Sequence, residues 1–225
     1  TVVKSLIGPR AAWILHFAKV NPFHKTMVIK DPIGCLLTEY LVENFGVKPV
    51  ILIRHPVAVV ASAVRLSWNM NLDPIRQQQE LVEDYFSDEP GFLWVQRTDP
   101  IENAAALWRA LNKVLLAQAS RHPSWPVIPH ETLSRDPVGS FRKLYDDLGL
   151  PWSPKIEKKV TDLTRRENRV EARKGQVHEF RRNSAEIFQH SLRMLTKEQR
   201  RKVYEITADV ALQIYPEESF KLDGE

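Results

Sequence analysis

Two short apolar, β-branched runs, residues 26–30 (TMVIK) and 49–54 (PVILIR), are bounded by turn signals and predict buried strands of a parallel sheet. Between them, residues 33–45 (IGCLLTEYLVENF) repeat their apolar positions at helical spacing and stop at Gly46, a natural C-terminal cap. Strand, helix, strand in that order makes one βαβ unit. After Arg54 and His55 comes Pro56, which opens a helical run (PVAVVASAVRLSW); proline in a first turn loses no hydrogen bond. Residues 69–98 are polar with scattered aromatics and predict a helix only around 74–86. A long helix is expected over 99–121, opened by Asp99-Pro100-Ile101-Glu102 in capping-box order. Residues 126–129 (PVIP) read as a short strand weakened by its prolines. Further helices are expected over 136–148, ending at Gly149, and over 196–214, where Thr196 is followed by Gln199. The pattern shows no internal repeat, low-complexity tract or interdomain linker.

Length and composition narrow this. With 225 residues, 43% of them hydrophobic, the chain can bury one sizeable core, so a single α/β domain over 1–225 is expected. No stretch approaches the roughly 18–20 unbroken apolar residues of a membrane span. The most apolar windows, 47–64 and 11–20, are broken by charges and prolines, and the first residues lack a signal-peptide pattern. A lone cysteine, Cys35, excludes an intrachain disulfide and a cysteine-based metal cluster, and fits a reducing, cytoplasmic setting. Net charge is only +4, yet segment 155–182 carries ten Lys/Arg against five Asp/Glu, leaving about −1 for the rest. Such a local strip suits a small polyanion better than a nucleic-acid duplex; a solvated helical face remains the plain alternative.

In open α/β sheets, ligands bind beyond the carboxyl ends of the strands. Lys30 closes the first predicted strand and Arg54 the second. The helix opened by Pro56 turns its positive end toward the same crevice, where an anion is favoured. Ser62 lies nearly two turns into that helix, and its hydroxyl could share an anion with Arg54.

Arg54-His55-Pro56 through Ala61-Ser62, with serine eight residues after arginine across a strand–turn–helix junction, resembles the 3′-phosphate motif of the sulfotransferases that use 3′-phosphoadenosine 5′-phosphosulfate (PAPS). Lys30-Asp31-Pro32 resembles the Lys-Asp-Pro that several members carry at the end of the preceding strand. His130-Glu131-Thr132-Leu133-Ser134-Arg135-Asp136-Pro137 is similar to the family's Tyr-Glu-Asp-Leu…Asp-Pro segment, with a helix after it ending in Leu148-Gly149-Leu150-Pro151. Arg173-Lys174-Gly175 resembles the basic-glycine loop that closes over the 3′-phosphate. These matches keep the family's order and cover roughly residues 26–215. The resemblance implies a three-layer α/β fold: a central parallel sheet flanked by helices, like that of P-loop NTPases, with a helix-rich C-terminal half. It implies PAPS as co-substrate without a metal, and sulfuryl transfer to an acceptor hydroxyl or amine on a small molecule or carbohydrate. Lys30 would be the catalytic cation at the leaving phosphate oxygen. Arg54, Ser62, Arg173, Lys174 and Gly175 would bind the nucleotide, the arginine fork gripping two phosphate oxygens.

One part of the family pattern is missing. The sulfate-gripping loop, a Lys/Arg-x-Gly-[Thr/Ser]-[Thr/Ser] sequence after the first strand, occurs at none of the eight glycines; Gly8-Pro9-Arg10 lacks the hydroxyl pair. Only 29 residues precede Lys30, so the first strand and its loop are expected to lie before Thr1. The general base is left open among His16, His24 and Asp31, because Pro32 stands at one of the family's usual places for it. Glu131 is expected to order its loop by hydrogen bonding, and His55 to be a turn residue. Trp68, Trp94, Trp108, Tyr85 and Phe86 are core by default, with those in 68–94 placed where relatives build an acceptor pocket. The competing function is a non-catalytic nucleotide-binding or scaffold protein on the same fold. A nucleotide-kinase-like enzyme would need Gly-Lys-[Ser/Thr] and a magnesium-binding acid, neither of which is visible.

Overall fold

The structure is a computed structural model that describes Val28, Lys30, residues 34–171 and residues 181–222. The chain divides into two compact units, Thr1–Cys35 and Leu36–Glu225. In the first unit, Val28 is 83% exposed, Lys30 is exposed, and neither lies in a helix or strand. A buried strand over 26–30 is therefore not found at these two positions; the others lie outside the described residues.

In the second unit, helix α1 (Thr38–Phe45) ends at Gly46, whose φ of 61° is the left-handed cap expected there. Strand β1 (Ile51–Ile53) runs into helix α2 (Pro56–Arg65), and Pro56 occupies its first turn. The predicted 74–86 helix is split into α3 (Asp73–Arg76) and α4 (Gln79–Phe86), because Gln78 leaves helical geometry at φ −103°, ψ 89°. Helix α5 (Pro90–Trp94) leads to the long α6 (Pro100–Arg121), where Asp99 accepts from the Ile101 N–H. Strand β2 (Val127–Pro129) is followed directly by α7 (His130–Arg135) and α8 (Pro137–Asp147). Helices α9 (Pro154–Thr164), α10 (Ser184–Arg193) and α11 (Lys197–Ala211) follow. The capping box of Thr196 and Gln199 is formed at the start of α11 as its sequence predicts.

The three-layer fold with a central parallel sheet is not what the described residues form. Their only sheet has two strands: β1 pairs parallel to β2, with Ile51, Leu52 and Ile53 opposite Val127, Ile128 and Pro129. The neighbour of β1 is thus the proline-bounded run 127–129, with Pro126 just outside the strand and its carbonyl accepting from the Ile51 N–H at 2.9 Å. Leu52 remains 49% exposed on the open face of this small sheet. Helices replace the remaining layers because most of the chain after Arg65 carries helical spacing and capping residues rather than β-branched runs.

Helix-on-helix packing supplies the core. The buried face of α2 (Val57, Ala58, Val60, Ala61) packs on α6, and α11 packs on both. Alanines at 104, 105, 106 and 110 on α6 and at 58, 61 and 63 on α2 keep the shared faces small and let the backbones approach. A second cluster joins Leu72, Ile75, Phe86 and Leu93 to Ala106, Ala110 and Val114 of α6. Phe86 and Trp108 are buried as expected, but Trp68 and Trp94 are 50% and 58% exposed. These two tryptophans are therefore surface residues, and Arg76 lies over the ring of Trp94 at 5.8 Å. No helix among the described residues is long and apolar enough to cross a membrane.

Candidate anion-binding site

Because β1 and β2 are parallel, their carboxyl ends lie side by side. Arg54 follows β1 and His130 follows β2, one step beyond the last register pair of Ile53 and Pro129. At this end of the sheet the chain turns into α2, and His55 makes the turn.

His55 is fully buried. Its Nδ1 accepts the Val57 N–H at 3.2 Å, capping α2. That fixes the proton on Nε2, which then donates to Ser219 Oγ at 3.0 Å. Phe188, Tyr215 and Phe220 surround the ring, with centroids 4.9, 4.8 and 4.5 Å away. Burial pushes its pKa down to about 3, so the ring is neutral near pH 7. The residue expected as a plain turn position is therefore a buried helix cap.

The backbone on either side of Arg54 is held by distant side chains. Tyr215 donates to the Ile53 carbonyl at 2.8 Å, Trp108 to the Arg54 carbonyl at 2.8 Å, and the His55 N–H donates to Glu131 Oε1 at 3.1 Å. Glu131 thus orders this loop through hydrogen bonds, and its Oε2 also meets the Tyr215 hydroxyl at 2.7 Å. Burial raises the Tyr215 pKa and the Glu131 carboxylate adds to that, so the phenol stays protonated.

The Arg54 side chain reaches Ser62: Nη1 donates to Oγ at 3.1 Å. Strand end and helix are thereby brought together as their eight-residue spacing suggests. Among the described residues Arg54 has no carboxylate at ion-pair distance, and its buried Nε has no hydrogen-bond partner. Burial pushes the guanidinium pKa down; Glu131 opposes this, and Arg182 and Arg65 add positive charge nearby. Half-buried His130 bonds Ser134 Oγ through Nδ1 at 3.2 Å. Its pKa is lowered by burial, raised by Glu131, and lowered again by Arg54 and Arg182. A cationic fork and a hydroxyl whose oxygen already faces it can together receive a phosphate-like anion. The expected contribution from the positive end of α2 is not found, since Pro56 has no N–H and those of Val57, Ala58 and Val59 are bonded to His55.

The other expected site residues lie in the first unit or outside the described residues. Lys30 belongs to the first unit. Arg173, Lys174 and Gly175 lie outside the described residues, as do His16, His24, Asp31 and Pro32. Bordering residues on both sides of 172–180 are anchored. Asn183 N and Nδ2 donate to the carbonyls of Arg169 and Arg166, both at 3.0 Å, and the Arg182 guanidinium donates to that of Val170. Ser184 Oγ donates to the Ser134 carbonyl of α7 at 2.9 Å. Sequence reasoning missed Trp108 and Tyr215 as supports of Arg54. They stand 54 and 162 residues from the atoms they hold, so no local signal points to them. His55 did carry one: a hydrogen-bonding side chain directly before a proline-initiated helix.

No family model, curated protein or solved structure matches this chain.

Proposed function

We propose that Arg54 and Ser62 hold the 3′-phosphate of a 3′-phosphoadenosine nucleotide, and that the chain is a PAPS-dependent sulfotransferase acting on an acceptor hydroxyl or amine. The observation that carries this reading is the 3.1 Å bond between Arg54 Nη1 and Ser62 Oγ at the carboxyl end of β1. It brings to one point the two residues that the family's motif uses for that phosphate. Two features support it further. Arg54 has no carboxylate partner among the described residues, whereas a structural arginine of this burial would ordinarily be paired. The orphaned Nε leaves a donor for a second phosphate oxygen.

Sulfuryl transfer would form a bond from the acceptor oxygen or nitrogen to sulfur and break the bond from sulfur to the 5′-phosphate oxygen. A base would take the acceptor proton. Charge neutralisation and positioning supply most of such a rate enhancement. Lys30 is assigned the leaving phosphate oxygen, and Arg173-Lys174-Gly175 the far side of the 3′-phosphate, on the resemblance alone.

The test is calorimetric titration of the chain with adenosine 3′,5′-bisphosphate, the nucleotide product. Saturable binding that Arg54→Ala abolishes is expected, and adenosine 5′-phosphate should bind far more weakly. Absence of binding by the parent protein overturns the proposal. Binding without transfer of labelled sulfate from PAPS to any acceptor would leave a nucleotide-binding protein in place of an enzyme.

A further inference from the structure

Three successive residues at the end of β1 each have a backbone atom held by a remote side chain, and Glu131 takes part at two of these points. Its Oε1 accepts from the His55 N–H, and its Oε2 faces the hydroxyl that also reaches the Ile53 carbonyl. The carboxylate is therefore engaged by N–H and O–H donors on both sides of Arg54. Among the described residues it makes no ion pair with the Arg54 guanidinium, although its charge acts on that group more strongly than any other. For an anion held by Arg54 and Ser62 the two effects have opposite sign. The hydrogen bonds fix the turn from which Arg54 reaches out, while the negative charge repels what Arg54 attracts.

We propose that Glu131 is a positioning residue of the Arg54 site, and that its charge holds down the affinity for the bound phosphate and so favours nucleotide release. The inference deepens the nucleotide site proposed above and rests on it.

The two effects are separable because an amide can take the place of the carboxylate. In Glu131→Gln, the amide oxygen accepts from the His55 N–H and the amide N–H₂ donates to the Tyr215 oxygen. In the parent the single tyrosine proton faces two acceptors; in the variant it is left for the Ile53 carbonyl, so all three contacts are kept while the charge is lost. The salt dependence of the affinity separates the charge from the added donor. Tyr215→Phe does the reverse: it keeps the charge and removes the hydroxyl that ties Glu131 to Ile53.

Titration of the full chain with adenosine 3′,5′-bisphosphate decides between them. Glu131→Gln should bind about three- to tenfold more tightly at low salt, with the gain shrinking as salt is added. Tyr215→Phe should bind more weakly. Opposite signs support the proposal, since a purely structural role would weaken binding in both. A Glu131→Gln protein that binds equally or less tightly overturns it. So does one that fails to fold, because the amide would then not replace the carboxylate. If the parent protein binds no nucleotide, the site itself is wrong and this inference falls with it. If the parent binds, Arg54→Ala does not, and Glu131→Gln shows no gain, this inference alone fails.

Discussion

The indole N–H of Trp108 lies 2.8 Å from the carbonyl oxygen of Arg54, and this bond fastens helix α6 to the residue on which the candidate site depends. Trp108 is buried, so the bond is made where water cannot replace it. Removing the donor strands a carbonyl next to the α2 turn. Trp108→Phe should therefore cost about 1–3 kcal/mol from the unsatisfied acceptor, with the smaller ring adding to the loss. Chemical denaturation should show it as a lower midpoint with an unchanged slope. Nucleotide affinity should fall as well, because the strand end loses one of its three ties.

His55 makes acid stability measurable at one residue. Its pKa is about 3 when folded, below the usual value near 6.5, so the unfolded chain binds more protons between these limits. Stability therefore rises with pH across that window. The contribution is complete above about pH 6.5 and is lost as pH falls toward 3, at roughly 1.4 kcal/mol per pH unit where the unfolded residue is protonated and the folded one is not. His55→Asn keeps an acceptor for the Val57 N–H but cannot titrate. It should be less stable at pH 7, having lost the ring packed by Phe188, Tyr215 and Phe220, and its stability should vary less between pH 6.5 and 4. Equal slopes for the two proteins would show that His55 is not held neutral.

Arg109 joins three elements through one planar group. Its Nη2 meets Glu89 at 2.6 Å and Asp209 at 2.5 Å, its Nε meets Asp209 at 2.9 Å, and the guanidinium lies 4.1 Å from the centre of the Phe92 ring. A lysine has neither the fork nor the flat face. Arg109→Lys should accordingly destabilise by about 1–3 kcal/mol despite conserving charge, and combining it with Asp209→Asn should cost less than the sum. Additive losses in that cycle would show the contact to be incidental.

The sequence discloses the ends of helices far better than their neighbours. Gly46, Pro56, Asp99, Asp136 and Thr196 with Gln199 all act where their local chemistry puts them, since a cap is decided within four residues. Pairing of strands is decided by contacts across the chain. The apolar run 49–54 is expected in a βαβ unit with 26–30, yet among the described residues it is the proline-bounded run 127–129 that β1 joins. The same divide runs through the site. Arg54 and Ser62 meet across one turn and were legible from spacing; Tyr215 reaches the Ile53 carbonyl across 162 residues and was not.

A short local constellation of this kind makes a graded prediction about Arg54 and Ser62 themselves. The arginine supplies charge and two or more donors in a plane, whereas the serine supplies one neutral hydroxyl. Arg54→Ala should abolish measurable binding of adenosine 3′,5′-bisphosphate. Arg54→Lys keeps a charge but not the fork, and should lose roughly ten- to a hundredfold in affinity. Ser62→Ala should lose only about three- to tenfold, with little change in stability for a half-buried side chain. Because Ser62 Oγ accepts from Arg54 Nη1, the serine also orients the fork, so its removal should matter less once the fork is gone. In the Arg54→Lys background, Ser62→Ala should therefore cost clearly less than in the parent protein, and a double-mutant cycle by calorimetry would measure the difference. Full additivity would mean that the two side chains bind independently and that their 3.1 Å contact has no part in holding the anion.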